Sequence, residues 1–286
     1  MAYKLIEGGG VTTPQGFLAG ACYVGVKSRK SEKPDVAIIY SEQPASCAAM
    51  FTTNKFCAAP VILDREILKK GKARAVVINS GNANAATGTQ GIEDAKRVET
   101  EAEKLLNLGE DEVFVCSTGV IGQKLPVEKV LDGVRRIVPE LSKDKGTDAA
   151  WAIMTTDTVR KEVAYEMELS GGTVRIGAMA KGSGMIHPNM ATMLAYITTD
   201  AKVEASVLQG MLKKSTDKSF NMMTVDGDTS TNDSLFLLAN GASGVEIKTE
   251  EDKKAMADLV LAICTDMARR VASDGEGATH LIEVEA

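Results

Sequence analysis

The segment 181-KGSGMIHPNMATML-194 is the most informative stretch of this 286-residue chain. It places two glycines, a proline and an asparagine between a lysine and the strand-like run TMLAYIT. Such a segment is too apolar for an ordinary solvated loop and too interrupted for a regular helix or strand. Because Thr192 follows the small residue Ala191 at its end, the segment raises the question of which chemistry needs a threonine delivered by an irregular backbone.

Strands and helices interleave on both sides of this segment. Small and β-branched residues predict strands at 19–27, 35–40, 45–51, 73–80, 112–117, 163–169, 173–180, 192–200, 221–225 and 234–240. Amphipathic spacing predicts helices at 60–70, 90–109, 125–141, 147–157, 204–220 and 250–273, and we expect Gly109 to end the second. Because several strands form hairpins, we favour an α/β layered sandwich with mixed sheets over a doubly wound parallel sheet.

Composition excludes several classes of function. The net charge of -6 argues against a nucleic-acid or anionic-membrane surface, since both need clustered lysine and arginine. Five cysteines without a C-x-x-C pair favour buried thiols in a reducing cytosol over a disulfide framework. We find no apolar run of the roughly 20 residues that a membrane helix needs, and no signal-peptide pattern at the N-terminus.

Three familiar site patterns fail on inspection. GSGMIH (182–187) begins like a dinucleotide-binding loop, but His187 occupies the third glycine position. DGDTSTND (226–233) begins like a calcium loop, but Thr231 and Leu237 occupy its glycine and glutamate positions, which leaves an Asx-rich turn. With two histidines in the chain, a zinc site of several histidines is excluded and a Ser-His-Asp triad is disfavoured. The lone Trp151 is expected in the core.

Thr192 has a further chemical option. A threonine hydroxyl is a weak nucleophile, and one way to activate it is to place it at a chain terminus, where its own α-amine acts as base. An internal threonine can reach a terminus by attacking the preceding carbonyl to form an ester that water then opens. Ala191 is small enough for this attack, and Gly182, Gly184 and Pro188 keep the approach irregular. A plain glycine loop entering a strand is the alternative.

Five motifs together resemble the ornithine acetyltransferase family of arginine biosynthesis: NSGNANAATG (79–88), CSTGVIG (116–122), MTTDT (154–158), KGSGMIHPNMATML (181–194) and DGEGATH (274–280). They occur in the family's order and span nearly the whole chain. The resemblance implies cleavage between Ala191 and Thr192 into an α segment (1–191) and a β segment (192–286). It also implies acetyl transfer from N2-acetyl-L-ornithine to L-glutamate through an acetyl-threonine, on a fold similar to, but distinct from, the N-terminal-nucleophile hydrolases.

The resemblance assigns roles to individual residues. Thr192 matches the nucleophile, and Thr118 with Gly119 matches the oxyanion hole, although an ordinary turn is the simpler interpretation of those two alone. Substrate-binding positions, which include Thr192 itself, match Thr155, Lys181 and Glu276. On their own these three would be a helix-end cap, a solvated lysine and a polar loop residue.

Assembly and chain length also follow from the resemblance. It implies a heterotetramer of two α and two β segments, and it implies neither a metal nor a cofactor. Acetyl-CoA stays open as a second donor, since no stretch has a CoA-binding pattern. The family continues past DGEGATHLIEVE with a segment that completes the substrate pocket, so we expect a fragment or a short member. An aminopeptidase or amidase of the same architecture and an inactive fragment are the alternatives.

Overall fold

The computed structural model describes residues 3–27, 33–187 and 193–285. The strands in these ranges are β1 (Tyr3–Leu5), β2 (Phe17–Cys22), β3 (Val36–Phe51), β4 (Lys72–Asn82), β5 (Val113–Val120), β6 (Lys161–Leu169), β7 (Gly172–Lys181), β8 (Leu194–Thr199) and β9 (Ser234–Ala239). The helices are α1 (Ala59–Leu68), α2 (Gly88–Leu106), α3 (Val127–Ile137), α4 (Gly146–Ile153), α5 (Ala205–Asp217) and α6 (Glu250–Ser273). None of these helices has the combination of length and apolar composition that crossing a bilayer requires.

The strands form one continuous mixed sheet. Its order is β1-β6-β7-β8-β9-β3-β4-β5, and β2 also pairs with β3. The β4–β5 and β8–β9 pairs are parallel, whereas the other pairs are antiparallel. The hairpin predicted through the two glycines after Ser170 is present as β6 and β7.

The 16-residue strand β3 connects two half-sheets. One contains β2, β4 and β5, and the other contains β1, β6, β7, β8 and β9. Its first half pairs with β2 and β4, and its second half pairs mainly with β9. The register shifts in the stretch that contains Pro44, which has no N–H for a ladder bond. Arg74 of β4 holds this bulge by donating to the Ser41 carbonyl at 3.1 Å. The strands predicted separately at 35–40 and 45–51 are therefore one bent strand.

Side-chain alternation along β3 shows how the half-sheets stack. Ala37 and Cys47 lie in a buried cluster between the two half-sheets. On the opposite face, Val36 packs in a cluster with α2 and α3, whereas Ala48 packs in one with α5 and α6. The order of layers is helices, sheet, sheet, helices, which confirms the predicted layered α/β sandwich with mixed sheets.

Three local predictions were wrong. The strand predicted at 221–225 is absent, because the chain leaves α5 through a 3-10 helix at Phe220–Met222. The second helix ends before Gly109, since Asn107 takes the left-handed conformation with φ 54°. Trp151, expected in the core, is 36% exposed on α4, where the Arg160 guanidinium lies 5.2 Å from its ring centroid.

Candidate active site

In the sequence, the predicted cleavage point falls between β7 and β8, whose facing ends the fold holds side by side. Ala191 and Thr192 themselves lie outside the described residues. Lys181 at the end of β7 pairs with Leu194 at the start of β8, and Leu194 pairs in parallel with the first residue of β9. Just before these starts, the Met193 backbone N–H donates to Asp233 Oδ1 at 2.9 Å. The flanks of residues 188–192 are therefore fixed by the central strands.

The half-sheet that contains β4 and β5 approaches the same region with the carboxyl ends of these two strands. Asn232, two residues before β9, joins the two layers through its side-chain amide. Its Nδ2 donates to the carbonyl of Ser117 at 2.8 Å and to that of Ala83 at 2.6 Å. Because Thr118 and Gly119 directly follow Ser117, this contact brings the predicted oxyanion residues towards the β9 side of the site.

Gly119 lies where two backbones touch. Its φ is 135°, and a Cβ at this position would lie 2.3 Å from the carbonyl carbon of Gly81. Thr118 and Gly119 belong to β5 and pair with Ser80 and Gly81 of β4. The turn considered from the sequence is therefore absent, and a strand end held against its neighbour places these two residues.

The structure brings two of the predicted residues into direct contact. Lys181 Nζ lies 3.4 Å from Thr118 Oγ1, and both side chains are buried. Burial lowers the pKa of Lys181 below its ordinary value, and Lys161 lowers it further, while Asp157 and Asp233 oppose the shift. Lys181 is thus not a solvated lysine but a buried amine beside Thr118, one of the two predicted oxyanion residues.

A buried ion cluster organises the two loops beside Lys181. Asp157 accepts from the backbone N–H of Gly182 at 2.7 Å and from that of Thr155 at 3.0 Å. Lys161 bridges Asp157 Oδ1 at 2.7 Å and Asp274 Oδ2 at 2.6 Å. Thr155, itself exposed, is therefore fixed by Asp157 at the edge of the site.

Both carboxylates of this cluster are stabilised in their charged form. Burial alone raises the pKa of Asp157, but Lys181, Lys161 and the Gly182 N–H outweigh it, so the pKa lies below its ordinary value. The same balance holds for the pKa of Asp274, where burial is outweighed by Lys161 and Thr158. The two carboxylates thus carry charge in the folded protein and hold the lysine between them.

Glu276 lies at the outer side of the same loop. Its backbone N–H donates to the Ser183 carbonyl at 2.7 Å, and Ser183 Oγ donates to the carbonyl of Asp274 at 2.8 Å. A Cβ on Gly184 would lie 2.6 Å from Glu276 Oε2, so the glycine makes room for this carboxylate. Glu276 is exposed and available to a ligand that enters from solvent.

The loop approaching residue 188 is bent as the sequence predicted. Met185 has φ 57°, a conformation that non-glycine residues seldom adopt. Asp226 stabilises the bend by accepting from the backbone N–H of Met185 at 2.5 Å and of Ile186 at 2.9 Å. The Asx-rich turn predicted at 226–233 therefore acts as a support for this loop.

Four site residues had no role in the sequence interpretation: Asp157, Lys161, Asp233 and Asp274. The three carboxylates lie inside MTTDT, DGDTSTND and DGEGATH, so a carboxylate in each of these loops was the available signal. Lys161 gave no signal, because most lysines at the start of a strand are solvated.

Asp233 is the most unusual of the four. It is fully buried, and its Oδ2 has no hydrogen-bond partner among the residues that the structure describes. Burial raises the pKa of Asp233 well above its ordinary value, against the opposing effects of the Met193 N–H, of Lys181 and of the nearby Ser230 and Thr52 hydroxyls. A buried oxygen without a donor is costly, and native proteins seldom retain one without a function.

Sequence comparison identifies close relatives. The model of the ArgJ family matches residues 18–286. The arginine biosynthesis bifunctional protein ArgJ of Symbiobacterium thermophilum is 50% identical over 278 residues, which are 96% of this chain and 69% of that protein.

Solved structures of two related arginine-biosynthesis enzymes also match this chain. The arginine biosynthesis bifunctional protein of Bacillus halodurans matches with TM-score 0.62 and 40% identity, over 66% of this chain and 98% of its own. The ornithine acetyltransferase of Mycobacterium tuberculosis, solved with ornithine, matches with TM-score 0.61 and 38% identity, over 68% of this chain and 100% of its own.

A more distant structure shares the fold alone. The L-aminopeptidase D-Ala-esterase/amidase of Ochrobactrum anthropi, a variant of the N-terminal-nucleophile hydrolase fold, matches with TM-score 0.57 at 12% identity, over 92% of this chain and 85% of its own. The resemblance found in the motifs is confirmed by the closer relatives. With the family model covering nearly all of its length, this chain belongs to the ArgJ family of arginine-biosynthesis enzymes.

Proposed function

We propose that this chain is a self-cleaving acyltransferase that moves an acetyl group from N2-acetyl-L-ornithine to L-glutamate, with Thr192 as its nucleophile. The observation that carries the proposal is the convergence of Thr118 and Lys181 on the strand ends that flank residue 192. The name and bound ornithine of the M. tuberculosis relative support ornithine as the leaving group.

The first step is cleavage of the chain. The Thr192 hydroxyl attacks the Ala191 carbonyl, the peptide C–N bond breaks to give an ester, and water releases the Ala191 carboxyl group. Two relatives support a cut at this place: their solved chains match over 98% and 100% of their own lengths but over 66% and 68% of this chain. Residues 1–191 make up about that share of the 286 residues.

The second step is acetyl transfer. The Thr192 hydroxyl attacks the acetyl carbonyl of acetylornithine, and its proton passes to the free α-amine of Thr192. The Thr118 hydroxyl and the Gly119 N–H stabilise the oxyanion, and ornithine leaves with the proton. The amine of glutamate then attacks the acetyl-threonine and restores the hydroxyl.

Substrate binding uses the charges around the loop. The exposed Glu276 carboxylate offers a partner for the substrate ammonium, and Thr155 borders the same opening. Lys181 provides a cation for a carboxylate or for the developing oxyanion, since its Nζ already lies 3.4 Å from Thr118 Oγ1.

Three wider features complete the proposal. The relatives are named bifunctional, which supports a second acetyl donor, and we propose acetyl-CoA for that donor with no resident cofactor. We also propose a heterotetramer of two α and two β segments. A cytoplasmic location is supported by five cysteines that are all free.

A product assay tests the transfer. We expect the protein, incubated with N-acetylornithine and glutamate, to form acetylglutamate in preference to acetate. The variant Thr192→Ala should form neither product, whereas Thr192→Ser retains a hydroxyl and should keep measurable transfer.

The outcomes separate the alternatives. Release of acetate as the main product would replace the transferase by an aminopeptidase- or amidase-like hydrolase. Binding of acetylornithine by calorimetry without either product would indicate an inactive fragment. Full activity of Thr192→Ala would refute the nucleophile.

A further inference from the structure

We propose that Asp233 is the positioning residue for the α-amino group that cleavage creates on Thr192. This inference rests on the proposed function and deepens it. Asp233 would accept a hydrogen bond from the new amine, fix the direction of its lone pair towards the hydroxyl, and stabilise the ammonium formed when the hydroxyl attacks.

The contact with Met193 defines where Asp233 acts. Its Oδ1 accepts from the backbone nitrogen of Met193 at 2.9 Å, and its Oδ2 has no partner among the described residues. The nitrogens of consecutive residues are separated by three covalent bonds and lie within about 4 Å of each other. A carboxylate bonded to the nitrogen of residue 193 is therefore within reach of the nitrogen of residue 192.

Cleavage changes what that nitrogen can donate. In the intact chain it is an amide with one hydrogen, whereas after cleavage it is an amine or ammonium with two or three. Asp233 is completely buried at the start of a central strand, where an unsatisfied oxygen is destabilising. The new amine supplies a donor to the oxygen that has no hydrogen-bond partner among the described residues.

The α-amine of Thr192, paired with Asp233, accepts and returns the proton that moves during the reaction. As the bond between Thr192 Oγ and the acetyl carbon forms, the hydroxyl proton moves to the α-amine, and the ammonium donates to the Asp233 carboxylate. When the C–N bond to ornithine breaks, the ammonium returns that proton to the leaving amine. Asp233 stays a carboxylate through both steps, because the positive charges of the ammonium and of Lys181 oppose the effect of burial on its pKa.

The charge that opposes Asp233 in the described part of the chain comes from one lysine. Among the described residues, Lys181 on β7 is the charged group that acts on Asp233. The uncharged hydroxyls of Thr52, after β3, and Ser230, before β9, also favour the charged form of Asp233. The Thr52 hydroxyl donates to the Ser230 carbonyl at 2.8 Å. Removing the carboxylate would thus leave the positive charge of Lys181 without this counter-charge and would lower the pKa of the amine.

The test is the pH profile of Asp233→Asn, which keeps the size and one acceptor. After intact mass has shown that the unsubstituted protein is cleaved and transfers acetyl, we expect the variant to be cleaved as well. Its kcat should fall about tenfold or more, the effect of losing a charge-assisted hydrogen bond. The acid limb of its kcat/KM profile should shift to lower pH by about one unit or more, because the pKa of the amine falls.

Asp200→Asn is the matched control. Asp200 is another buried carboxylate, just after β8 at its far end, where it accepts from the Arg175 N–H at 2.7 Å. The same chemical change there should leave the acid limb in place, even if it lowers stability.

Two results would overturn the proposal. One is a cleaved Asp233→Asn whose acid limb coincides with that of the unsubstituted protein, and the other is a folded variant that stays uncut, because Asp233 would then act before the amine exists. If the variant does not fold, a crystal structure of the cleaved unsubstituted protein decides. We expect Thr192 N within about 3.2 Å of an Asp233 carboxylate oxygen, and a separation above about 4 Å excludes the pair. Failure of the unsubstituted protein to cleave or transfer would instead reject the proposed function.

Discussion

Gly119 occupies a position where the backbone leaves no room for a side chain. A Cβ there would lie 2.3 Å from the Gly81 carbonyl carbon, and the φ of 135° is unfavourable for L-residues. Replacement must therefore separate the ends of β4 and β5, which place the proposed oxyanion residues Thr118 and Gly119.

We expect Gly119→Ala to abolish transfer and to lower the thermal midpoint by more than about 5 °C. Gly122→Ala is the control, since Gly122 also has positive φ, at 80°, but a Cβ added to it would meet nothing within 4 Å among the described residues. Melting curves and product assays of both variants provide the measurement. Equal effects of the two substitutions would show that conformation alone, and not the contact with Gly81, matters.

The sequence could predict some of these residues and not others. Thr118, Gly119 and Lys181 lie in recognisable motifs, so the resemblance found them and the structure placed Thr118 beside Lys181. Asp233 could not be predicted from the sequence, because its significance depends on a contact with Met193, 40 residues away in the chain. Long-range partners of a buried carboxylate cannot be derived from a local pattern.

At the level of elements, the Lys161 cluster ties strand β6 to the end of α6. Lys161 is 1% exposed between Asp157 and Asp274, so its removal leaves two buried carboxylates without this cation. Breaking a buried pair in this way typically costs about 3–5 kcal/mol.

We therefore expect Lys161→Met to lower the free energy of unfolding by about 3 kcal/mol or more. Lys213→Met is the control, because Lys213 forms an i,i+4 pair with Asp217 at 2.8 Å on an exposed helix surface. That change should cost less than about 1 kcal/mol. Urea titrations would distinguish them, and similar midpoints for both variants would contradict the role of the buried cluster.

Helix α2 carries a pH-sensitive carboxyl. Glu99 is completely buried, and burial raises its pKa to about 7, against the opposing effect of Lys96 at 2.9 Å. Since the folded pKa exceeds the unfolded value of about 4.3, the folded state holds this proton more tightly. Its contribution to stability is complete below about pH 4 and is lost as pH rises through 7.

We predict that Glu99→Gln is more stable than the unsubstituted protein at pH 8, by about 2–3 kcal/mol. The advantage should shrink as the pH falls to 5, where Glu99 is protonated. Glu93→Gln, on the exposed face of the same helix, is the control and should follow the unsubstituted protein. Unfolding midpoints from pH 5 to 8 test this, and a constant difference across that range would refute it.

Elements were predicted best where their patterns are long. The amphipathic spacing of α2 and α6 and the glycine turn between β6 and β7 determined those elements locally. The continuity of β3 could not be predicted, because Pro44 resembles a strand terminator until Arg74 of the neighbouring strand satisfies the bulge. The strand expected at 221–225 failed for a related reason, since a short apolar run does not distinguish a strand from a turn.

At the scale of the whole molecule, the proposed cut does not divide the fold. Strands β8 and β9 follow residue 192, yet they lie between β7 and β3, which precede it. The boundary at 191/192 therefore separates two lengths of chain within one sheet.

We expect the two segments to remain associated after cleavage. Separation would break both the β7–β8 and the β3–β9 ladders and would expose the central cluster. Size-exclusion chromatography without denaturant should elute both segments together, and urea should release them only in the cooperative unfolding transition. Separate elution under native conditions would contradict this view of the sheet.

Self-cleavage before Thr192 is tested most sharply by the intact mass of freshly purified protein under denaturing conditions. We expect two masses in place of the 30.3 kDa chain, which together equal that chain plus one water, with the smaller segment beginning at Thr192. A single mass of 30.3 kDa from protein that forms acetylglutamate at a normal rate would contradict it.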